Sequence, residues 1–153
     1  MDTENNIINS KDSFGGWFEE FSPGQIFKHW PGKTITEMDN HLFSLLTMND
    51  NPLHTDEIFT TQVAGYPSVF AHGMLSMGLT GTMLTNYVGD GALTKYGVRF
   101  TNQVWPGDTL TSTATIIDIR EQDGERVVDL QIETTNQNDI AVITGNATAK
   151  IES

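Results

Sequence analysis

The sequence predicts a single α+β domain in which an antiparallel sheet wraps around one central helix. The 153 residues suffice for one domain with one core. Residues 73–88 are apolar around most of a helical circumference, as expected of a core helix. From residue 92 the hydrophobic period changes to two, with turn residues between the runs, which is typical of consecutive antiparallel strands.

The N-terminal part of the chain divides into a leader and the start of the domain. Residues 1–16 are predicted as a flexible leader, and 17–153 as the domain. The aromatic side chains of Trp17, Phe18 and Phe21 are expected to dock on the body of that domain. Residues 25–34 are predicted as a strand, interrupted at Pro31-Gly32.

Two helices are predicted between this strand and the central helix. Thr36 can cap a helix over residues 37–47, which has acidic residues in its first turn. Its apolar residues at helical spacing are Met38, Leu42, Leu45 and Leu46. Asn51-Pro52 ends this helix, and residues 55–62 are predicted as a second, short one.

The C-terminal part is predicted to form strands at 92–104, 109–121, 125–136 and 139–151. Short turns link the last three, so these strands form an antiparallel meander, and we expect the first to extend it to four. Threonine-rich alternation along the second strand suits a sheet with only one face on the core.

The charge and composition exclude several function classes. The net charge of −12, with 8 Lys and Arg, argues against nucleic acid. A polyanionic ligand would need local positive charge from the inner cations Lys28, Lys33, Lys95, Arg99, Arg120 and Arg126. No apolar run reaches the roughly 20 residues of a membrane span. A polar N-terminus unlike a signal peptide, and the absence of cysteine, lead us to expect a cytoplasmic protein.

The stretch Thr47-Met48-Asn49-Asp50-Asn51-Pro52-Leu53-His54 carries the most chemical information. A helix ends in a loop that Pro52 stiffens, so one imidazole is presented at a defined place. From these residues alone, His54 is either a packed histidine or a catalytic one. The four histidines show no HxxxH or HxH spacing, and we expect no metal.

Two motifs taken together resemble a known family. Asn51-Pro52-Leu53-His54, followed by Phe70-Ala71-His72-Gly73-Met74-Leu75, resembles the paired signature of the MaoC-like (R)-specific enoyl-CoA hydratases. Pro23-Gly24-Gln25 and Pro106-Gly107-Asp108 are similar to other family segments, so the resemblance covers residues 17–151. It implies a hotdog fold, which is a sheet wrapped around a central helix.

The resemblance also implies a hydro-lyase of fatty acid metabolism. Such enzymes add water to a trans-2-enoyl-CoA, or remove it from the 3-hydroxyacyl-CoA, and need no cofactor beyond the coenzyme A of the substrate. His54 would act as base and acid, and the Gly73 N–H would stabilise the thioester oxyanion. The resemblance also implies a homodimer or larger homo-oligomer. Arg99 is expected to contact the coenzyme A that is bound by the partner. The other expected substrate contacts are Pro52, Leu53, Ala71, His72 and Met74.

One position departs from the family pattern. Five residues before the histidine the family has an aspartate, and here that residue is Asn49, which cannot accept a proton. Three accounts stay open. Asp50 could serve after a shift of the loop, His54 could act alone while Asn49 holds the water, or the chain could bind acyl-CoA without catalysis.

Two alternative functions follow from this departure. A neutral amide at position 49 would avoid repelling a substrate that carries its own carboxylate, which suggests branched dicarboxylic enoyl-CoAs of the itaconyl- or mesaconyl-CoA type. The other alternative is a non-catalytic acyl-CoA-binding protein. A thioesterase fits less well, because hotdog thioesterases lack the two motifs.

Overall fold

The computed structural model describes residues 6–10 and 20–151. Its elements confirm an α+β domain. The strands are β1 (Ile7–Asn9), β2 (Ile26–Lys28), β3 (Lys33–Thr34), β4 (Leu93–Phe100), β5 (Thr109–Gln122), β6 (Glu125–Thr135) and β7 (Ala141–Ile151). The α-helices are α1 (Glu37–Thr47) and α2 (Gly73–Val88), with a 3-10 helix at Pro52–His54 and a π-helix at Phe59–Val63 between them.

The sheet has the order β1-β2-β5-β6-β7-β4, and β3 pairs separately with β5. Strands β5, β6 and β7 form the predicted antiparallel meander. The prediction that the first C-terminal strand extends this meander to four strands was wrong, because β4 pairs with β7 and not with β5. Residues 101–108 leave the sheet, and the Val104 carbonyl accepts a hydrogen bond from the Ala71 N–H at 2.8 Å. A connection that packs beside α2 in this way cannot form a hairpin between β4 and β5.

The central helix α2 has the bounds that the sequence predicts, and its C-terminal half lies in the main core. Met83 and Leu84 have no exposed surface. Burying each of these side chains contributes roughly 1.5–3 kcal/mol. They pack against inward-facing residues of β5, β6 and β7, which alternate with exposed ones along each strand. The core therefore anchors one end of α2 and leaves its N-terminal turn for the site.

Helix α1 also has its predicted bounds and begins at a capping box. The Thr36 side chain accepts the Asp39 N–H at 3.2 Å, and the Asp39 carboxylate accepts the Thr36 N–H at 2.7 Å. Its apolar residues do not face the core, however, since Leu45 and Leu46 are 76% and 81% exposed. Asn40 is the residue of α1 that is buried instead.

Part of the predicted leader is structured. Ile7–Asn9 pairs in parallel with Ile26–Lys28, so these three residues extend the sheet. Trp17 and Phe18 lie outside the described residues, whereas Phe21 is buried against Tyr87 with ring centroids 5.2 Å apart. The division of the chain at residue 16 stays a prediction. Within the described part of the chain, no helix has the length and apolar character that a membrane crossing requires.

Candidate active site

A cavity of about 250 Å³ opens beside the N-terminal turn of α2. It is lined by His54 on one side, by four residues between positions 70 and 76, and by residues 100–104 with Val142 on the far side. Ligand pockets commonly have about 300–1,000 Å³, so this cavity suits a small group. The two sequence motifs therefore meet at one cavity.

Local backbone chemistry positions the loop that carries His54. Helix α1 ends at Thr47, and the left-handed backbone of the next residue, Met48 (φ 57°), turns the chain away from the helix axis. The Asn51 side chain then accepts the Leu53 N–H at 3.1 Å and caps the 3-10 helix, with Pro52 at its start. The Thr60 hydroxyl donates to the Pro52 carbonyl at 3.1 Å and ties the loop to the π-helix.

The tautomer of His54 follows from its hydrogen bond. Nδ1 of His54 lies 2.7 Å from the carbonyl oxygen of Phe70. A carbonyl can only accept, so Nδ1 carries the hydrogen and Nε2 of the neutral ring keeps a lone pair. The Phe70 N–H donates in turn to the Leu53 carbonyl at 3.3 Å. The ring is thus fixed as a base by the segment that leads into α2.

His72 supports His54 and does not line the cavity. Its ring stacks on that of His54 with centroids 3.8 Å apart, and its Nε2 lies 3.0 Å from the Ser44 hydroxyl. Burial, and then the proximity of His54, lower the pKa of His72 below its ordinary 6.5, although a bond with the Asn49 backbone acts in the opposite direction. The ring therefore stays neutral at neutral pH and packs at the helix start, without capping the helix through its side chain.

The first turn of α2 provides hydrogen-bond donors at the cavity. The N–H groups of Leu75 and Ser76 bond to the His72 carbonyl at 3.0 and 3.4 Å. Those of Gly73 and Met74 have no acceptor among the described residues, as is usual at a helix start. Gly73 lines the cavity, and a Cβ on it would lie 3.0 Å from the Phe100 ring. The positive end of the helix dipole therefore meets the cavity at a residue without a side chain.

Neither of the two other predicted catalytic residues lines this cavity. Asn49 and Asp50 are both exposed. The Asn49 side-chain oxygen accepts the Asn51 N–H at 3.3 Å, so it stabilises its own loop. His54 and Gly73 therefore share the lining of this cavity, whereas Asn49 and Asp50 do not contribute to it.

Some of the predicted substrate-binding residues line the cavity, and others do not. Ala71 lines the cavity and is buried. Pro52 and Leu53 are half-buried in the 3-10 helix behind His54, and Met74 is 58% exposed. Arg99 is exposed on β4, and strand alternation directs it to the face opposite its cavity-lining neighbour Phe100.

Several cavity residues were not identified from the sequence. Residues 100–104 and Val142 come from segments that no motif connects to His54. Ser76 lies one helical turn after Gly73 and could have been noticed as a small polar residue in an apolar helix. His54 is the one ionisable side chain among the lining residues. Within the described part of the chain no group of His, Cys, Asp or Glu could hold a metal ion.

Comparison with known proteins identifies relatives of this chain. Residues 19–138 match the family model described as MaoC like domain. An (R)-specific enoyl-CoA hydratase of Rhodospirillum rubrum is 37% identical over 102 residues, which are 65% of this chain and 69% of that protein. The 3-hydroxyacyl-thioester dehydratase Y of Mycobacterium tuberculosis is 39% identical over 80 residues, which are 50% of this chain but 28% of that longer protein.

The fold has a close counterpart among solved structures. The unliganded R-hydratase PhaJ1 of Pseudomonas aeruginosa superimposes with a TM-score of 0.78 at 25% identity. The alignment covers 89% of this chain and 86% of that one. The wrapped sheet and central helix are therefore shared over nearly the whole domain.

Proposed function

The chain belongs to the MaoC-like dehydratase family, and from this premise we propose that it is a hydro-lyase for 2-enoyl-CoA thioesters. It would add water to a trans-2-enoyl-CoA to give the 3-hydroxyacyl-CoA, or catalyse the reverse dehydration. The observation that carries the proposal is one cavity that holds both a base and an oxyanion donor. His54 supplies the base, and the N–H of Gly73 supplies the donor.

In the proposed reaction His54 transfers the proton and Gly73 stabilises the negative charge. Nε2 of His54 takes a proton from water as the water oxygen bonds to C3 of the enoyl group. The electron pair of the double bond moves toward the thioester, and the N–H of Gly73 stabilises the negative charge on its oxygen. The His54 imidazolium then returns the proton to C2. The sum is one water across the double bond, with His54 restored.

The cavity favours an acyl chain without a second carboxylate. Among its lining residues none is Lys or Arg, so a buried carboxylate would have no ion partner there. Removing an unpaired carboxylate from water is costly. Asn49, whose neutrality suggested a dicarboxylic substrate, is exposed outside the cavity. We therefore propose a short monocarboxylic enoyl-CoA over the itaconyl- and mesaconyl-CoA type.

Crotonyl-CoA tests the proposal. We expect the purified protein to remove the absorbance of the enoyl thioester and to form 3-hydroxybutyryl-CoA. We also expect itaconyl-CoA to react with a kcat/KM at least about tenfold lower, because its carboxylate would be buried without a partner. A preference for itaconyl-CoA would support the dicarboxylic alternative. No turnover, with coenzyme-A thioesters still bound, would support the non-catalytic one.

We propose that the protein assembles as a homodimer through β4. This strand lies at one end of the sheet, and in the described part of the chain only β7 pairs with it. An eight-residue edge strand with free backbone groups favours pairing with another strand. Phe100, at the end of β4, is 49% exposed and lines the cavity, so a partner strand would cover the site. Arg99 remains our proposed contact for the coenzyme A of the partner.

Sedimentation equilibrium measures the assembly directly. We expect twice the 16.9 kDa chain mass at micromolar concentration. Replacing Val98 in the middle of β4 by proline is expected to shift the equilibrium to monomer, because proline cannot donate to a strand ladder. A monomeric wild type would contradict the proposed dimer.

A further inference from the structure

Ser76 has a buried hydroxyl without a partner. The residue is 2% exposed, and its Oγ has no hydrogen-bond partner in the described structure. A helical serine can bond to the carbonyl four residues earlier, as the Thr80 hydroxyl does to Ser76 at 3.0 Å. Ser76 does not bond in this way. Buried hydroxyls are generally paired, so an orphan at a cavity calls for a ligand or a water.

The location of this hydroxyl suggests what it binds. Ser76 lines the same cavity as His54 and Gly73. It lies three residues after Gly73 on one face of α2, about 4.5 Å further along the helix axis. A thioester whose carbonyl oxygen is held at Gly73 has its C3 only a few ångströms away, within the same part of the cavity. The hydroxyl is therefore available to the oxygen that adds to C3.

Apart from His54, Ser76 is the polar side chain of the cavity lining that is not exposed. Asn49, the residue expected to hold the water, is exposed and bonded within its own loop. Thr101, Asn102 and Gln103 also line the cavity, but all three are exposed. The Thr101 hydroxyl and the Asn102 amide are in addition held by the Ala141 carbonyl, at 2.7 and 2.8 Å. Ser76 is thus the buried polar side chain that remains free to act beside His54.

We propose that Ser76 holds the water that His54 activates, and that after the reaction it holds the same oxygen as the 3-hydroxyl group of the product. One hydrogen of the water points to Nε2 of His54, and the other donates to Oγ of Ser76. The water oxygen then keeps a lone pair for C3. This inference rests on the proposed hydration, and it replaces the missing family aspartate by a residue from α2.

The substitution Ser76→Ala should change kcat in the hydration direction and KM in the dehydration direction. In Ser76→Ala we expect kcat for hydration of crotonyl-CoA to fall about tenfold or more, with an unchanged KM, because the enoyl substrate itself does not touch Ser76. In the dehydration direction the KM for 3-hydroxybutyryl-CoA should rise by a similar factor, because its hydroxyl loses a partner. A merely structural role would not divide kcat and KM in this way.

Ser112→Ala is the matched control. Ser112 is also a buried serine (3% exposed), but it lies outside the cavity. Its hydroxyl contacts Thr134 at 2.8 Å and Thr80 at 3.3 Å, and these two threonines stay bonded to each other at 2.7 Å without it. The Ser112→Ala variant should retain wild-type kinetics. Full hydration activity in Ser76→Ala, or equal losses in the two variants, would overturn the role of Ser76 and leave the proposed function intact. An inactive wild type would overturn both.

Discussion

Replacing His54 by alanine is expected to lower kcat/KM for crotonyl-CoA by about a thousandfold or more, since general acid–base groups contribute about 10²–10⁴ and His54 serves in both proton transfers. His54→Gln should lose as much activity. Its side chain has about the length of histidine and keeps an amide at the position of Nε2, but an amide cannot carry the proton. The glutamine variant therefore separates the loss of proton transfer from the loss of a polar side chain.

His41→Ala is the control for this experiment. His41 is an exposed histidine on α1 whose Nδ1 lies 2.9 Å from the Glu37 carbonyl, and it has no contact with the cavity. Its loss should leave kcat/KM within about twofold, as expected of a surface residue. If His54→Gln retained most of the wild-type activity, His54 could not be the base.

The second large effect concerns a single backbone N–H. Gly73→Pro is expected to reduce kcat about 10²–10³-fold relative to Gly73→Ala, which is the cost of one oxyanion donor. Both variants add a Cβ near the Phe100 ring, but only proline removes the N–H. Comparison of the two variants therefore separates the replacement of the N–H by the proline Cδ from the crowding at Cβ.

The backbone at this position accepts proline. Gly73 is the first residue of α2, where proline is favoured, and the N–H has no acceptor among the described residues. His72 has φ −59° and ψ 130°, a conformation that suits a residue before proline. We expect Gly73→Pro to fold, as circular dichroism would verify. Equal kcat values for the folded alanine and proline variants would exclude the N–H as the oxyanion donor.

The two α-helices were predictable because capping residues and prolines act on the few residues next to them in the chain. Capping by Thr36 and the stop at Pro52 define α1, and both α-helices have the predicted bounds. The partners of each element were not predictable in the same way. The spacing of Leu42, Leu45 and Leu46 indicates a helix but not what covers it, and the structure leaves these side chains exposed. Likewise, the alternation in β4 does not reveal that its neighbour is β7.

The residues of the candidate site were likewise predictable only where they lie in a distinctive motif. The two motifs identified His54 and Gly73, because the loop and the helix start have distinctive residues. The opposite wall, at residues 100–104 and Val142, depends on how the sheet wraps around α2. The position of Asn49 in the motif suggested a place in the site, but the Asn51 N–H engages its side chain outside the cavity. Ser76 becomes conspicuous only when its burial and its missing partner are known.

The most direct test of this account is a crystal structure of the His54→Gln variant with bound crotonyl-CoA. We predict that the acyl group fills the cavity, with its thioester oxygen within about 3.2 Å of the Gly73 nitrogen. We also predict that C2 and C3 face residue 54. A thioester bound outside the cavity, or a carbonyl oxygen that bonds to some other donor, would contradict the assignment of this cavity as the active site.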